Sequence, residues 1–398
     1  MLKICVFTAT RAEYGLLRPL MYLLQDNQAC QLQVLVSGTH LIPEFGMTCN
    51  EIIKDGFYID EKVEMTMAAD SASAMSKSMG LGLICFAEAI DRLAPDWCIV
   101  LGDRFESLSM AIACTNAGIP IAHIHGGEIT VGAVDEAFRH SITKMSHLHL
   151  TSTNEYRNRV IQLGEQPDHV HNVGSLGVES IKSLKLLSRT ELAEAIEFDL
   201  HNSFGLITFH PATIENDTAK SQFKELLLAI SQILDGQARN DDKYLKYPQK
   251  FIFTKSNSDA GGRNINAMIE EFVSKSEVNL AMYSSLGQLK YLSSLSHCQL
   301  VIGNSSSGII EAPSFKIPTI NIGDRQKGRV RAKSVIDCRP DCQSILNAFE
   351  TSISKSYQQL LNDCQNPYEG METSKRILET IMSTNRSNIL KKQFFDFN

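Results

Sequence analysis

The stretch IVLGDRFES, residues 99–107, decides the fold class of this 398-residue chain. Its apolar start is typical of a short buried strand, and Gly102-Asp103-Arg104 follows where a parallel strand delivers side chains to a crevice. The pattern repeats in IPIAHIHGGEIT, residues 119–130, where strand alternation places His123 and His125 on the same side. Charged and histidine side chains at two successive strand ends predict a parallel sheet with a functional site at its carboxyl edge.

Two series of alternating strands and helices surround this stretch, and they predict an α/β fold of two domains with parallel sheets. The first series has predicted strands at 2–7, 31–36, 97–101, 119–124 and 147–151, and helices at 13–26, 76–93, 104–117, 134–145 and 153–163. The second has predicted strands at 205–209, 249–254, 298–302 and 318–322, and helices at 217–235, 261–273, 286–295 and 307–315. A final helix is predicted over 373–393, a glycine-rich seam over 171–180, and an exposed polar insertion over 236–248.

The composition argues against several function classes. A net charge of -7 gives no global attraction to nucleic acid or anionic membranes, so an anionic substrate needs a local cationic cluster such as the one at 325–333. No window approaches the roughly 18 apolar residues of a membrane span, and the N-terminal apolar run is too short for a signal peptide. The ten cysteines form no CxxC pair, which fits a reducing compartment. We therefore expect a cytoplasmic protein without nucleic-acid or membrane partners.

The second series carries a candidate anion site in GNSSSGIIE, residues 303–311. Small residues between a strand and a helix let backbone N–H groups and the hydroxyls of Ser305, Ser306 and Ser307 converge on a diphosphate. Glu311, about one turn into the predicted helix, is placed to accept hydrogen bonds from sugar hydroxyls. The alternative is a serine-rich helix cap without a ligand. The segment is not a P-loop, because no Gly-Lys-Ser/Thr follows.

Two further strand exits of the second series are polar. His210 closes the strand GLITF, and we interpret it as a phosphate contact or an acid catalyst rather than as a core histidine. KSNSDAGG, residues 255–262, follows the next strand and includes the candidate ligand contacts Asn257 and Asp259. Polar loops at three consecutive strand ends predict one shared binding edge.

The first series has a comparable turn after its first strand. TATRAEYG, residues 8–15, leads from that strand into a helix and contains Arg11 and Gly15. A guanidinium group at a strand-to-helix turn is well suited to bind a phosphate oxygen. We therefore expect this turn to take part in anion binding.

Acidic side chains crowd around the opening stretch and the helix that follows it. The candidates are Asp103, Glu128, Asp135 and Glu136, beside His125, Arg104 and Arg139. Neighbouring carboxylates shift each other's pKa values, so one can act as a base while another stays protonated. Two alternatives remain open: an ion-pair network that joins helix to sheet, and a metal site formed by His123, His125 and Glu128.

Seven motifs in this chain resemble, in order, those of the hydrolysing UDP-N-acetylglucosamine 2-epimerases of bacterial sialic-acid synthesis: RAEYGLL, LGDRFE, HIHGGEIT, DEAFRHSITK, TFHPAT, GNSSSGIIE and INIGDRQKGR. The resemblance spans most of residues 1–335. It implies the GT-B architecture, with two Rossmann-like doubly wound domains, an active site between them and a C-terminal helix that crosses back. The first implied domain is 1–174, which carries the catalytic acids and is joined by the C-terminal segment 370–398. The second is 175–369, which binds UDP.

The resemblance also implies a reaction. A UDP-sugar and water would give UDP and N-acetylmannosamine with inversion at C2, without a metal or cofactor. UDP would leave as the C2 proton is lost, forming a 2-acetamidoglucal, and water would then add at C1 and a proton at C2. The family further implies a homodimer or a dimer of dimers.

Positions shared with the family imply site residues. Diphosphate contacts are implied for Arg11, Arg104, His210, Ser305 and Ser306, and nucleoside contacts for Glu311 and the loop near Arg325. The segment Met282-Tyr283-Ser284-Ser285 resembles the uracil contact. Asp103, Glu136 and Arg139 lie where the wider family places catalytic or sugar-binding groups. Non-hydrolysing relatives carry a glutamate at the position of His125, so the C2 proton is left to Asp103, His125, Glu128 or Glu136.

Other activities compete with this hypothesis. SGTHLIPEFG, residues 37–46, and SKSMGLG, residues 76–82, resemble the branch that acts on UDP-2,4-diacetamido-2,4,6-trideoxyglucose in legionaminic-acid synthesis, and His40 of the first segment is a candidate substrate contact. A glycosyltransferase of the same architecture and a non-catalytic UDP-sugar sensor are the remaining alternatives.

Overall fold

The computed structural model describes residues 1–67, 71–131, 133–211, 218–256, 262–276 and 278–396. The chain divides into two compact units. The first comprises Met1–Glu128, Asp135–Ser180 and Tyr368–Asn398, and the second comprises Ile129–Val134 and Ile181–Pro367. Each unit is built around one parallel sheet.

Thirteen strands lie within the described residues: β1 (Leu2–Thr8), β2 (Cys30–Ser37), β3 (Glu61–Val63), β4 (Trp97–Leu101), β5 (Ile121–Ile124), β6 (Leu148–Thr151), β7 (Val170–Asn172), β8 (Phe204–Thr208), β9 (Lys250–Thr254), β10 (Leu280–Tyr283), β11 (Leu300–Gly303), β12 (Thr319–Ile322) and β13 (Val335–Cys338).

The α-helices of the same residues are α1 (Arg11–Asp26), α2 (Cys49–Lys54), α3 (Ala72–Leu93), α4 (Phe105–Ala117), α5 (Asp135–Met145), α6 (Asn154–Gln162), α7 (Leu176–Ser183), α8 (Arg189–Ile196), α9 (Thr218–Ala238), α10 (Gly262–Val273), α11 (Gly287–His297), α12 (Ser307–Ile310), α13 (Cys342–Ile353), α14 (Lys355–Asn362) and α15 (Thr373–Ser383). Short 3₁₀ turns occur at Gly38–Leu41, Pro43–Phe45, Pro167–His169 and Ala312–Phe315.

The first sheet has the order β3-β2-β1-β4-β5-β6-β7, and every pairing is parallel. From the central β1 the chain proceeds outward through β2 to β3, then returns to pair β4 against β1 and continues the other way. Along β1, Ile4 and Val6 enter one core cluster, whereas Cys5 and Phe7 enter another. Both faces of the sheet are therefore covered, which explains why its inner strands are continuous apolar runs.

The second sheet repeats this scheme in the order β10-β9-β8-β11-β12-β13, again with parallel pairs only. Phe204 and Leu206 of β8 pack into one core cluster and Ile207 into another. The predicted α/β class with two doubly wound parallel sheets is confirmed. The predictions missed β3, β7, β10 and β13, which are the edge strands of the two sheets.

Two further sequence predictions, the helices over 307–315 and 373–393, need correction. The helix predicted over 307–315 ends at Ile310 and continues as a 3₁₀ turn over Ala312–Phe315, because Pro313 cannot donate to a helical ladder. The insertion at 236–248 is mostly exposed but is anchored by Tyr247, which is buried in the second core. Tight packing of Tyr244 against Gly236 also holds it in place.

The C-terminal helix is shorter than predicted. α15 ends at Ser383 instead of residue 393, because the apolar periodicity that buries Ile377 and Ile381 does not continue beyond it. The following segment still packs on the first unit: Lys392 Nζ lies 2.7 Å from a carboxylate oxygen of Glu165, and the Phe395 N–H donates to the Gly164 carbonyl at 2.9 Å. No helix within the described ranges is long and apolar enough to span a membrane.

Candidate active site

Strand order predicts where each unit can bind a ligand. In both sheets the direction of winding reverses between two central strands, β1 and β4 in the first and β8 and β11 in the second. Loops that leave such a pair diverge and open a crevice at the carboxyl edge. The residues after these four strands include the sequence candidates Arg11, Asp103, Arg104, His210 and the serines at 305–307.

The turn after β1 is held by a capping box. Thr10 caps α1 and accepts from the Glu13 N–H, while Glu13 Oε2 accepts from the N–H groups of Ala9 at 2.8 Å and Thr10 at 3.2 Å. Arg11 begins α1 and its Nε lies 3.0 Å from Glu51 Oε2. Gly15 lies in the second turn of α1. The buried Glu13 carboxylate therefore preorganises the backbone of this turn.

His40 supports this turn from inside the protein. Its ring is fully buried, with Nε2 3.0 Å from Thr8 Oγ1 and Nδ1 2.8 Å from Thr48 Oγ1. Burial lowers the pKa of His40 to about 4, so the ring is neutral near pH 7. Both ring nitrogens are engaged by threonine hydroxyls, an arrangement that suits a positioning role better than the ligand contact expected from the sequence.

Asp103 and Glu136 converge on Arg139. The guanidinium group of Arg139 is 3% exposed, contacts the Asp103 carboxylate through Nη2 and lies 3.5 Å from Glu136 Oε2 through Nη1. Glu136 also lies 3.2 Å from Nε2 of His140, one helical turn further along α5. The exit of β4 and helix α5 thus bring two predicted acids and the predicted arginine into one cluster, with Asp135 at the first position of the same helix.

His125 and Glu128 form a second pair. β5 ends at Ile124, and His125 adopts a left-handed backbone with φ of 66°, so strand alternation does not extend to it. Its Nδ1 lies 3.9 Å from Glu128 Oε1, which also accepts from Ser152 Oγ at 3.0 Å. Both residues are buried, with exposures of 9% and 4%.

His123 belongs to the sheet rather than to this pair. Its Nε2 lies 2.7 Å from the Gly102 carbonyl and its Nδ1 3.2 Å from Thr143 Oγ1, and burial lowers its pKa to about 3. A ring held in this way positions the backbone next to Asp103. Among the described residues, no group of three or more His, Cys, Asp or Glu side chains has an arrangement that could hold a metal ion.

In the second unit, Asn304 ties the two central strand exits together. Its Oδ1 accepts from the His210 N–H and its Nδ2 donates to the His210 carbonyl, both at 2.7 Å. Gly303 precedes it with φ of 130°, and a Cβ there would lie 2.0 Å from the Thr208 carbonyl oxygen. Because a Cβ does not fit there, glycine is required at 303 for the close approach of these strands. The His210 ring lies 3.3 Å from Ser256 Oγ through Nδ1.

The serine turn and the loop after β12 complete this edge. Ser305 and Ser306 precede α12, and the Ser307 hydroxyl donates to Glu311, whose pKa is raised by burial. The Asn304 carbonyl accepts from Arg325 Nη1 at 3.0 Å and from Gln326 Nε2 at 2.8 Å. α12 has only four residues, so its dipole contributes less to anion binding than the predicted helix would.

The remaining candidates have separate environments. The Tyr283 hydroxyl donates to the Ile196 carbonyl at 2.6 Å, and burial raises its pKa to about 12. Ser284, which follows it at the end of β10, is exposed. Asn257 and Asp259 lie outside the described residues.

Four residues at these edges were not singled out from the sequence: Glu13, Glu106, Asn304 and Gln326. The spacing Thr10-x-x-Glu13 is a capping-box signature and could have been read as one. The side chains of Asn304 and Gln326 form hydrogen bonds with backbone groups that are distant in sequence, and no local pattern reveals such contacts.

Comparison with known proteins identifies the family. A family model described as UDP-N-acetylglucosamine 2-epimerase matches residues 23–382. A hydrolysing GDP/UDP-N,N'-diacetylbacillosamine 2-epimerase of Campylobacter jejuni is 40% identical over 395 residues, 99% of each chain. Polysialic acid biosynthesis protein P7 of Escherichia coli is 38% identical over 399 residues, 100% of this chain and 98% of that one.

Solved structures confirm the fold. A crystal structure of UDP-GlcNAc 2-epimerase from Neisseria meningitidis bound to UDP-GlcNAc has a TM-score of 0.79 at 19% identity and covers 96% of this chain and 100% of that chain. At so low a sequence identity, the structural similarity establishes the GT-B-like α/β fold and nothing finer. Together with the family match and the 40% identical relative, it leads to one conclusion: the chain belongs to the UDP-N-acetylglucosamine 2-epimerase family.

Proposed function

We propose that this protein is a hydrolysing 2-epimerase of a UDP-activated 2-acetamido sugar. The observation that carries the proposal is the cluster in which Asp103 and Glu136 share the buried Arg139 at a sheet's carboxyl edge. An arginine between two partly exposed carboxylates keeps them close enough to divide the roles of base and acid. Family membership supports the choice of reaction.

The second unit is proposed to bind UDP. Its edge presents His210, Ser305 and Ser306 around the turn that the Asn304 side chain fixes, and Arg325 lies against the same turn. Hydroxyls and N–H groups from a preorganised turn bind phosphate oxygens without a large reorganisation cost. Segment 282–285, Glu311, Asn257 and Asp259 are proposed for the nucleoside side.

The first unit is proposed to supply the sugar chemistry. The C1–O bond breaks and its electron pair leaves with UDP, while a carboxylate takes the C2 proton and the C1–C2 double bond of a 2-acetamidoglucal forms. Water then adds at C1 and a proton returns to C2 from the opposite face. Asp103, Glu136, Glu128 and His125 are the proposed proton carriers, and Arg11 and Arg104 are proposed to stabilise the leaving diphosphate.

The 40% identical relative favours a substrate with a second acetamido group at C4. That relative is named for N,N'-diacetylbacillosamine, which is 2,4-diacetamido-2,4,6-trideoxyglucose. The relative of polysialic acid biosynthesis, at 38% identity, favours the simpler UDP-N-acetylglucosamine. We propose the diacetamido sugar as the preferred substrate and UDP-N-acetylglucosamine as the alternative.

One experiment tests both the reaction and its substrate. The protein is incubated with UDP-N-acetylglucosamine, UDP-N,N'-diacetylbacillosamine and the GDP form of the latter, and nucleotide release is followed while the sugar product is identified by mass spectrometry and NMR. We expect the free C2-inverted diacetamido sugar, with at least tenfold lower turnover of UDP-N-acetylglucosamine. The reverse ratio would support the alternative substrate, and release from none of the three would refute the proposed function.

A matched pair of variants assigns the activity to the cluster. Asp103→Asn removes a carboxylate that contacts Arg139, whereas Glu271→Gln removes a carboxylate whose side chain is 76% exposed on α10. We expect the first variant to lose activity and the second to keep it. Equal activity in both variants would exclude Asp103 from the reaction.

A further inference from the structure

Arg104 lies between two buried carboxylates at the β1–β4 switch point. Its Nε and Nη2 lie 3.0 Å and 2.9 Å from the two oxygens of Glu106, and its Nε lies 4.0 Å from Glu13 Oε1. Glu106 is 1% exposed and Glu13 is 6% exposed. Two carboxylates therefore share one guanidinium group in a region with little water, an arrangement in which the second negative charge is costly.

Glu13 has a distinct role within this group. Its Oε2 is saturated by the N–H groups of Ala9 and Thr10, which fixes the turn that carries Arg11. Its Oε1 is buried and has no hydrogen-bond partner among the residues that the structure describes. Arg104 Nε lies 4.0 Å from that oxygen, and its guanidinium group is already paired in bidentate geometry with Glu106. Oε1 is thus the position in this cluster where a proton can be held.

The surrounding charges favour partial protonation at neutral pH. Burial raises the pKa of Glu13 to about 7, the charge of Glu106 adds to this rise, and Arg104 and the two backbone N–H groups oppose it. Arg11, the other cation on the turn, is paired with Glu51 on α2. A carboxyl group near half protonation responds to any further negative charge placed beside Arg104.

We propose that Glu13 is a positioning residue that holds Arg104 and the β1 turn for the diphosphate, and that it takes up a proton from solvent at Oε1 when the diphosphate binds. This inference rests on the proposed function, because it requires an anionic nucleotide at Arg104. The diphosphate draws on the charge of Arg104, which leaves the Glu13 carboxylate less compensated. The neutral form of Glu13 is then favoured, so binding and protonation are linked.

The test is the number of protons taken up on binding. UDP-glucose is a suitable probe because its diphosphate, esterified at both ends, does not titrate between pH 6 and 9. Isothermal titration calorimetry at pH 7.5 in two buffers of different ionisation enthalpy gives proton uptake for the wild type, Glu13→Gln and Glu51→Gln. Glutamine preserves the capping box, and Glu51 is the matched, partly exposed carboxylate that pairs with the other arginine of the turn.

We expect the wild type and Glu51→Gln to take up a substantial fraction of a proton and Glu13→Gln to take up clearly less. Between pH 6.5 and 8.5 the affinity of the wild type should fall roughly fivefold relative to Glu13→Gln. Equal uptake in wild type and Glu13→Gln would overturn the role of Glu13 and leave the proposed function intact. No uptake by the wild type overturns it even if Glu13→Gln does not fold. Failure of the wild type to bind UDP or UDP-glucose would refute both proposals.

Discussion

The carboxyl edges of the two sheets share a strand order but differ in chemistry. At the first edge, carboxylates and guanidinium groups form ion pairs, as in Asp103–Arg139 and Glu106–Arg104. At the second edge, the strand exits are joined by the neutral Asn304 amide and lined with serine hydroxyls. The same fold therefore provides both locations, and the turns differ in a way that matches the proposed roles: proton transfer at the first edge and anion binding at the second.

The largest expected effect separates chemistry from binding. Asp103→Asn at the first edge should lower kcat by about 10²–10⁴, the usual contribution of a positioned acid or base. UDP affinity should change less than threefold, because UDP is assigned mainly to the second edge. Single-turnover assays give the rate and calorimetry with UDP gives the affinity. Equal losses in both quantities would contradict the division of roles between the edges.

Gly303→Ala tests the rigidity of the second edge. The added Cβ would lie 2.0 Å from the Thr208 carbonyl oxygen in a backbone with φ of 130°, so we expect unfolding free energy to fall by at least about 2 kcal/mol. UDP binding should weaken with it.

The matched control for this variant is Gly80→Ala. Gly80 lies in α3, and a Cβ added there would have no atom of the described residues within 4 Å beyond its own stretch of helix. Alanine should therefore stabilise the helix by up to about 1 kcal/mol. Urea denaturation of the two variants should give shifts of opposite sign, and a neutral Gly303→Ala would show that the strand exits can separate.

The first edge should make stability depend on pH through Glu13. Because its folded-state pKa is raised from 4.5 to about 7, the folded chain binds the extra proton, and stability is lost as pH rises from 4.5 to 7. Glu13→Gln does not lose stability in this way, because glutamine does not titrate. The unfolding free energy of the variant minus that of the wild type should therefore increase by up to about 3 kcal/mol between pH 5 and pH 8. If urea titrations give the same difference at pH 5 and pH 8, the pKa of Glu13 is not raised in the folded chain.

The smallest expected effect concerns Tyr283. Its hydroxyl donates to the Ile196 carbonyl, so Tyr283→Phe should cost about 1 kcal/mol of stability. UDP affinity should change less than twofold, since the hydroxyl is already engaged within the second unit. A tenfold loss of UDP affinity would instead show that the hydroxyl contacts the nucleotide.

Burial explains how far the fold can be predicted. The inner strands of both sheets are covered on two faces, so they appear in the sequence as apolar runs and are predicted from it. The edge strands are short and more polar: Glu61–Val63 and Val170–Asn172 have three residues each, and the sequence patterns miss them. Edge strands pair on one side only, so their sequences are less constrained.

The sequence predicts which residues belong to the candidate site but not which of them contact each other. Strand ends and the helix after them identify Asp103, Arg139 and Glu136 as functional candidates. That Arg139 bridges both acids depends on α5 packing against α4 and β5, since Asp103 and Arg139 are 36 residues apart. His40 shows the opposite case, because its burial between two threonines arises from tertiary contacts that no local pattern reports.

The central claim is that the C2–H bond is broken during release of UDP. The most direct measurement is deuterium incorporation at C2 of the sugar product when the reaction runs in heavy water. We predict one deuterium at C2 in every product molecule, with inverted configuration, and matching release of UDP. Release of UDP with hydrogen retained at C2 would contradict the proposal and would indicate simple hydrolysis or glycosyl transfer.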